Sequence, residues 1–183
     1  MAVALFIKVD DIRKKSILSG SVDTDKFIQF VKIAQQIHIT NYLGSKLYDR
    51  LNDGIIAGDL TAIEKTLLND YVQDALIHYA AAEYLPFAAY NVGNGGVFKH
   101  TPENTFSVDK QEVDYLVQRH KEYANYYAKR LVDYLCNNST LYAEYSTNVE
   151  DDIRPSKLIN YSGGWYLDNN DYLDLLKYRN LEL

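Results

Sequence analysis

Histidine and carboxylate side chains are the groups of this chain most able to do chemistry, as metal ligands or general bases. The four histidines lie far apart, and no two of them have the spacing of a helical ligand pair with a glutamate between them. His38, His78 and His120 fall on the apolar faces of predicted helices, so we interpret them as histidines of the core or its rim. The enzyme alternative is a helical metal-dependent hydrolase using Glu83, His78 and His120, which requires these three to converge and bind metal.

Two acidic clusters and one glycine-rich stretch are the other patterns that could bind ligands. Residues 150–152 and 168–171 could collect a cation, but neither has the glycine and distal glutamate of a calcium loop, so we interpret both as solvated turns. The stretch 91–107 lacks the lysine and serine of a phosphate-binding loop. We predict a turn or loose hairpin there, with Val97–Phe98 and Thr105–Phe106 as its paired ends.

Composition places the chain among ordinary globular proteins. It has 183 residues, of which 47% are hydrophobic and 24% charged, enough for one domain with a true core. The net charge of −6 disfavours binding nucleic acid through a broad basic surface, although a local basic patch stays open. No segment approaches the roughly 20 apolar residues of a membrane span, and the N-terminus lacks the features of a signal peptide. We therefore expect a soluble protein in a reducing compartment.

Cys136 is the single cysteine, which excludes an internal disulfide and a thiolate metal cluster. Because Cys136 falls on the apolar side of a predicted helix, we expect a small buried hydrophobic residue and not a reactive thiol.

Hydrophobic periodicity predicts an all-α helical bundle built on a long antiparallel hairpin of two helices. The first runs from Thr61 to Tyr90 and is expected to kink or stop near Leu85, where Pro86 removes a hydrogen bond. The second runs from Asp109 to Asn137, matches the first in length and follows it across the glycine-rich stretch. The predicted inward stripe of the first helix is Ile63, Leu67, Leu68, Tyr71, Ala75, Ile77, His78, Ala82 and Leu85. That of the second is Val113, Leu116, Val117, His120, Ala124, Tyr127, Leu131, Tyr134 and Leu135.

Shorter helices precede the hairpin. Residues 2–9 suggest an extended arm or short edge strand, and Asp10 or Asp11 can cap a first helix that closes at Gly20. Asp23 or Thr24 can begin a second helix, which Gly44 ends in a left-handed cap, and a third helix runs to the turn at Gly58–Asp59. The expected inward residues of the second helix are Phe27, Val31, Ala34, Ile37 and His38, and those of the third are Leu47, Leu51 and Ile55.

The last part of the chain has no clear helical period, apart from a short helix predicted over Asn170–Asn180. We divide the chain into a helical bundle domain, 1–138, and an extended C-terminal assembly tail, 139–183. Seventeen tyrosines indicate either surfaces that an assembly covers or side chains that complete the rim of the core, because tyrosine combines an apolar ring with a polar tip. The residues predicted to contact a neighbouring subunit are Tyr142, Tyr145, Tyr161, Gly163, Gly164, Trp165 and Tyr166. The alternative is that the tail folds back over its own helices.

Three sequence segments carry a resemblance to a known family. They are LGSKLYDRL at Leu43–Leu51, YLPFAAY at Tyr84–Tyr90 and YSGGWYL at Tyr161–Leu167. With the surrounding pattern, which runs roughly from Asp23 to Leu167, they resemble head-to-tail connector proteins of tailed bacteriophages, including crAss-like and other phages of gut Bacteroides. None of the three segments is a catalytic signature.

The resemblance implies a structural virion protein of the neck, assembled in the host cytoplasm, that is not an enzyme and needs no cofactor. Such subunits form a ring, commonly a dodecamer, that docks on the portal protein and binds the next connector or tail protein. It implies no membrane partner, and contact with DNA passing through the bore stays open. A DNA-packaging accessory protein is a further alternative, but the basic cluster Arg13, Lys14 and Lys15 does not continue onto a recognition helix.

Overall fold

A computed structural model gives the arrangement of most of the chain. It describes residues 3–15, 24–88, 90–93, 96–99, 109–147 and 152–157. The helices are α1 (Val9–Lys15), α2 (Thr24–Ala34), α3 (Thr40–Leu43), α4 (Ser45–Ala57), α5 (Ala62–Leu67), α6 (Gln73–Tyr84), α7 (Lys110–Asn137) and α8 (Ala143–Ser146). Two π-helical turns, Gln35–Ile39 and Leu68–Val72, join α2 to α3 and α5 to α6, and a 3-10 turn, Leu85–Phe87, follows α6. The strands β1 (Tyr90–Gly93) and β2 (Gly96–Lys99) form a small antiparallel hairpin. Because helices make up most of the described residues, the predicted all-α bundle is confirmed for this part of the chain.

The predicted antiparallel hairpin consists of α6, with the π turn before it, and α7. Tyr71 stacks on Tyr134 with ring centroids 3.9 Å apart, and His78 meets His120 with their Nδ1 atoms 3.2 Å apart. As residue numbers rise along the first helix, their partners' numbers fall along α7, which is the signature of antiparallel packing. The first helix of the pair ends at Tyr84, as the proline two residues later predicts.

The middle of the bundle is α6, because both α2 and α7 pack against it. Its buried apolar residues are Ala75, Leu76, Ile77, Tyr79, Ala80, Ala81 and Ala82. The run of three alanines allows the neighbouring backbones to approach closely, which explains how one helix can be covered on several sides.

The π turn Gln35–Ile39 corrects the predicted inward stripe before it. Phe27, Val31 and Ala34 are buried as expected, but Ile37 is 52% exposed while Ile39 is completely buried. A π turn contains more residues than an α turn, so the side chains within it, including Ile37 and Ile39, and those after it are rotated relative to an ideal helix. A period of 3.6 residues therefore predicted that Ile37 is buried, whereas the buried isoleucine is Ile39.

Ile63 and Leu116 are two further exposed members of the predicted stripes, and both lie near an end of the hairpin. Because His120 lies opposite His78 and the helices are antiparallel, Leu116, one turn before His120, lies near the end of α6, where the 3-10 turn begins. A helix end has fewer neighbouring side chains to cover it, so a stripe read from periodicity alone extends too far. Cys136 is also exposed, so its predicted burial is wrong, although its Sγ lies 3.9 Å from the hydroxyl of the buried Tyr145.

Several predicted helix ends can be compared with the structure. Gly44 ends α3 with φ 74° and ψ 161°, so its φ is positive as predicted but its ψ is not left-handed helical. Gly58 follows α4 in the left-handed conformation, at φ 73° and ψ 20°. Helix α1 begins at Val9, so Asp10 and Asp11 lie in its first turn, and their prediction as caps is wrong. Carboxylates in a first turn still interact favourably with the helix dipole.

The small hairpin contains a pairing that was not predicted. Strand β2 pairs with β1, with Val97 opposite Val92, and the predicted partner Thr105–Phe106 lies outside the described residues. The two residues between the strands are Asn94 and Gly95, the pair most favoured in two-residue hairpin connections. That signal was present in the sequence and points to the observed pairing.

Residues 3–8, which we call the N-terminal arm, are bound by side-chain amides and not by a strand. The Gln35 amide accepts from the Phe6 backbone N–H at 2.9 Å and donates to the Ala4 carbonyl at 2.8 Å. Asn52 Oδ1 accepts from the Ala4 N–H, and Gln73 Nε2 donates to the Phe6 carbonyl. Amides from three helices thus supply the hydrogen bonds that a neighbouring strand would supply, so the structure agrees with the arm and not with the edge strand, the two alternatives that the sequence left open.

The core continues past the predicted domain boundary at 138/139. Tyr142 is only 2% exposed, its hydroxyl donates to the Ile63 carbonyl at 3.3 Å, and Tyr145 of α8 is buried as well. Ser45 exchanges two hydrogen bonds of 2.9 Å with the backbone of Ile153. The beginning of the tail therefore folds back on its own subunit, and this is the alternative to the assembly tail that was predicted.

Candidate functional site

The residues of the hydrolase alternative lie in two separate places. His78 and His120 face each other across the α6–α7 contact, whereas the carboxylate of Glu83 lies 3.2 Å from Nε2 of His38. Among the described residues, no group of three histidine, cysteine, aspartate or glutamate side chains is arranged to hold a metal ion. The arrangement gives Glu83 a role in positioning His38 and leaves His78 and His120 as a pair.

The histidine pair is a neutral contact between two helices. One Nδ1 must donate and the other accept, so the pair requires at least one neutral ring. Burial lowers the pKa of both imidazoles, and the neighbouring His120 lowers the pKa of His78 further. Aromatic rings of Tyr123 and Tyr127 lie within 5.5 Å of the His78 ring. Charging this pair places positive charge in a partly buried site that favours the neutral rings.

We predict that this pair makes the bundle less stable in acid. A histidine whose pKa is lowered by folding adds stability that is complete above its unfolded pKa of about 6.5 and is lost as the pH falls through the folded pKa. Between pH 7.5 and pH 5.5, the free energy of unfolding should therefore fall more steeply in the wild type than in His120→Gln. Urea denaturation at each pH measures both slopes, and equal slopes would contradict the prediction.

A cleft of about 420 Å³ with a mixed polar and apolar lining lies beside the contact between His38 and Glu83. The His38 ring stacks on Tyr79 with centroids 4.1 Å apart, and the Tyr79 hydroxyl donates to Asn125 Oδ1 at 2.9 Å. The Tyr42 hydroxyl lies 2.8 Å from that of Tyr79, and its burial raises the pKa of Tyr42. These hydrogen bonds join α3, α6 and α7, so the side chains satisfy one another's hydrogen-bonding groups and fix the packing of the three helices.

The outward surface of α7 carries a row of exposed aromatic and charged residues, which we call the tyrosine face. Tyr115 and Tyr126 are 64% and 63% exposed. Between them, Arg119 pairs with Glu122 at 2.8 Å and lies over the ring of Tyr123, 5.4 Å from its centroid. The spacing of three and four residues places this row on the side of α7 opposite the core.

The tyrosine face has the composition of a protein interface. Tyrosine and arginine are enriched in interface cores and supply many of the residues that dominate binding energy. Tyr115 and Tyr126 are each exposed over more than half of their surface, so covering them would remove considerable apolar area from water.

Sequence reasoning placed the interface elsewhere. Of the seven residues predicted for it, Tyr142 and Tyr145 belong to the subunit's own core, so their assignment to an interface is wrong. Tyr161, Gly163, Gly164, Trp165 and Tyr166 lie outside the described residues, as does the predicted helix over 170–180. A row of tyrosine and arginine on the polar side of α7 was the signal that could have indicated the tyrosine face. Over the described residues, no helix is both long and apolar enough to cross a bilayer.

Comparison with known proteins identifies one related family. A family model described as a family of unknown function, DUF6712, matches residues 39–154, more than half of the chain. The match begins at the end of the first π turn and covers the whole α6–α7 hairpin and α8. No curated protein and no solved structure matches this chain.

Proposed function

The chain belongs to the DUF6712 family, whose function is unknown, and we propose that it is a structural virion protein, a head-to-tail connector subunit. In this role, copies of the chain form a ring in the neck of a tailed phage, dock on the portal protein and link it to the next connector or tail protein. The subunit is assembled into the virion in the host cytoplasm. The observation that carries the proposal is the tyrosine face of α7.

Two of the connector-like segments support the proposal through their positions. Leu43–Leu51 contains Gly44, whose positive φ turns the chain from α3 into α4. Tyr84–Tyr90 contains the last residue of α6 and the 3-10 turn that leads to β1. Both segments lie within the family match, and each contains the last residue of a helix, Leu43 of α3 and Tyr84 of α6. The resemblance therefore involves residues at which helices of the bundle end.

The tyrosine face supports an assembly role because it is held by a rigid scaffold. It lies on a helix of 28 residues whose opposite side is anchored by the buried Ala124, Ala128 and Leu131. Little conformational entropy is lost when such a preorganised surface is covered, so each buried aromatic anchor can contribute about 2 kcal/mol or more. A ring neighbour or the portal protein is the partner that the proposal assigns to this face.

We predict that Tyr115→Ser combined with Tyr126→Ser abolishes docking on the portal. The full chain would be co-expressed with the portal protein of the same phage, and complexes would be isolated by sedimentation and viewed by electron microscopy. Wild type should form a ring on the portal, while the double variant should be recovered at least tenfold less, because two interface anchors are lost.

The matched control is Tyr90→Ser, which removes a tyrosine that is 50% exposed but lies on the small hairpin. The control should dock like the wild type, and all variants should keep the helical circular dichroism and the unfolding midpoint. If the double variant docks as well as the wild type, the tyrosine face does not contribute to the interface. If the wild-type chain forms no complex with the portal, the connector role is contradicted.

A further inference from the structure

An apolar groove runs beside the N-terminal arm, and it is distinct from the tyrosine face. Its volume is about 330 Å³, which is within the range of sites that bind small ligands or a few side chains. The residues that shape it are Leu5 and Lys8 of the arm, Ile55 of α4, Leu60, and Lys65 and Leu68 at the start of the first hairpin helix. We call it the arm groove.

The charges at the arm groove have one sign. Lys8 and Lys65 are both exposed and line the groove, and no carboxylate is among the described residues that do so. Neither ammonium group forms an ion pair within the described parts of the chain. A partner that combines apolar side chains with carboxylates would therefore match both the walls and the rim.

The arm also offers free backbone groups. The N–H and C=O groups of Ala4 and Phe6 bind the amides of the helices behind the arm. Successive residues of an extended chain point their backbone groups to opposite sides, so those of Leu5 point away from these amides. Leu5 forms no backbone hydrogen bond within the described residues.

We propose that the arm groove binds the acidic, leucine-rich segment Asp171–Leu176 from the tail of a second copy of this chain. The segment reads DYLDLL, so it supplies two carboxylates for Lys8 and Lys65 and three leucines for the apolar walls. This inference rests on the proposed connector function, because it names a contact between neighbouring copies in the ring.

The tail is long enough to carry the segment to a second copy. Ser156 donates its backbone N–H to Asn41, and Ile153 binds Ser45, so the described tail lies at the start of α4. The arm groove lies at the other end of α4, a helix of 13 residues and about 20 Å. The 13 residues from 158 to 170 can span about 40 Å when extended, enough to reach a neighbour. A donor at one end and an acceptor at the other give a head-to-tail contact, the type that closes into rings.

Peptide binding tests the groove directly. The probe is a labelled synthetic peptide of residues 168–180, and the receptor is the full chain carrying Asp171→Lys and Asp174→Lys, whose own segment cannot compete. Fluorescence anisotropy should show saturable binding. Adding Lys8→Glu and Lys65→Glu to the receptor should weaken this binding at least tenfold, since both charge pairs become repulsive.

The control receptor carries Lys32→Glu and Lys110→Glu in place of the groove substitutions, and it should bind the peptide within twofold of the unaltered receptor. Lys32 and Lys110 are exposed and lie outside the arm groove, so the net charge changes equally in both receptors. Equal weakening in both receptors, or no saturable binding of the peptide, would overturn the proposal.

Mixing variants distinguishes a second copy from the same copy. One full chain carries Lys8→Glu and Lys65→Glu, and the other carries Asp171→Lys and Asp174→Lys. Sedimentation velocity should show at least tenfold weaker self-association of each variant alone but formation of mixed pairs, since one chain keeps its segment and the other keeps its groove. A chain with all four substitutions should again self-associate. If no mixed pairs form, the segment binds its own subunit or nothing, and the proposal is overturned, whereas portal docking would still test the connector role separately.

Discussion

Replacing Leu131 with alanine is expected to lower the free energy of unfolding by about 2 to 5 kcal/mol. Leu131 is completely buried on the face of α7 that packs against the first helix of the hairpin. The substitution removes three carbon atoms from a close-packed contact, and rigid neighbouring helices can only partly close the cavity. Urea denaturation followed by circular dichroism measures the change.

Leu116→Ala is the matched control, because it is the same substitution on the same helix at a position that is 39% exposed. Its cost should stay below about 1 kcal/mol, since a partly exposed leucine loses less transfer free energy and leaves no closed cavity. Similar costs for the two variants, or a cost below about 0.5 kcal/mol for Leu131→Ala, would mean that the hairpin does not bury this stripe.

Gln35→Leu is expected to release the N-terminal arm and lower the free energy of unfolding by about 2 to 5 kcal/mol. The side chain of Gln35 is completely buried and also donates to the Tyr48 hydroxyl at 3.0 Å. Leucine has nearly the same volume but leaves the Ala4 carbonyl and the Phe6 N–H without partners. If the arm moves into water to satisfy them, it exposes the buried Phe6, so either outcome is costly.

Hydrogen exchange distinguishes this effect from a general loss of stability. The Phe6 amide should be protected in the wild type and exchange rapidly in Gln35→Leu, while amides of α6 and α7 remain protected. Gln36→Leu is the control, since Gln36 is the next residue and is exposed. Protection of Phe6 in both variants would show that the Gln35 amide does not hold the arm.

These two predictions concern features that sequence reasoning could reach to different degrees. The buried stripe of α7 follows from a regular pattern, and Leu131 is recognisable from its spacing alone. Spacing alone places Gln35 on the inward face, four residues after the buried Val31, and places Gln36 away from that face. The local sequence does not show what the buried amide of Gln35 binds, because its partners lie in the distant N-terminal arm.

The candidate site shows the same division. The tyrosine face can be recognised from the spacing along α7, but the predicted interface residues lay in the aromatic tail. Tyr142 and Tyr145 were predicted as interface residues because their segment has no helical period. A tyrosine outside a periodic helix can still be buried when its hydroxyl forms a hydrogen bond, as the hydroxyl of Tyr142 does with the Ile63 carbonyl. The partner lies 79 residues away, so no window of sequence contains it.

The sequence by itself determined the two long helices, their antiparallel pairing across the glycine-rich stretch, and the glycine that ends α4. These features depend on side-chain periodicity and on backbone preferences, which act over a few residues. Only the tertiary structure decided which isoleucine of the π turn is buried, that Cys136 is exposed, and that buried amides bind the N-terminal arm. Those outcomes depend on contacts between residues far apart in the chain, where the cost of an unpaired buried polar group or an uncovered apolar side chain outweighs the local preference.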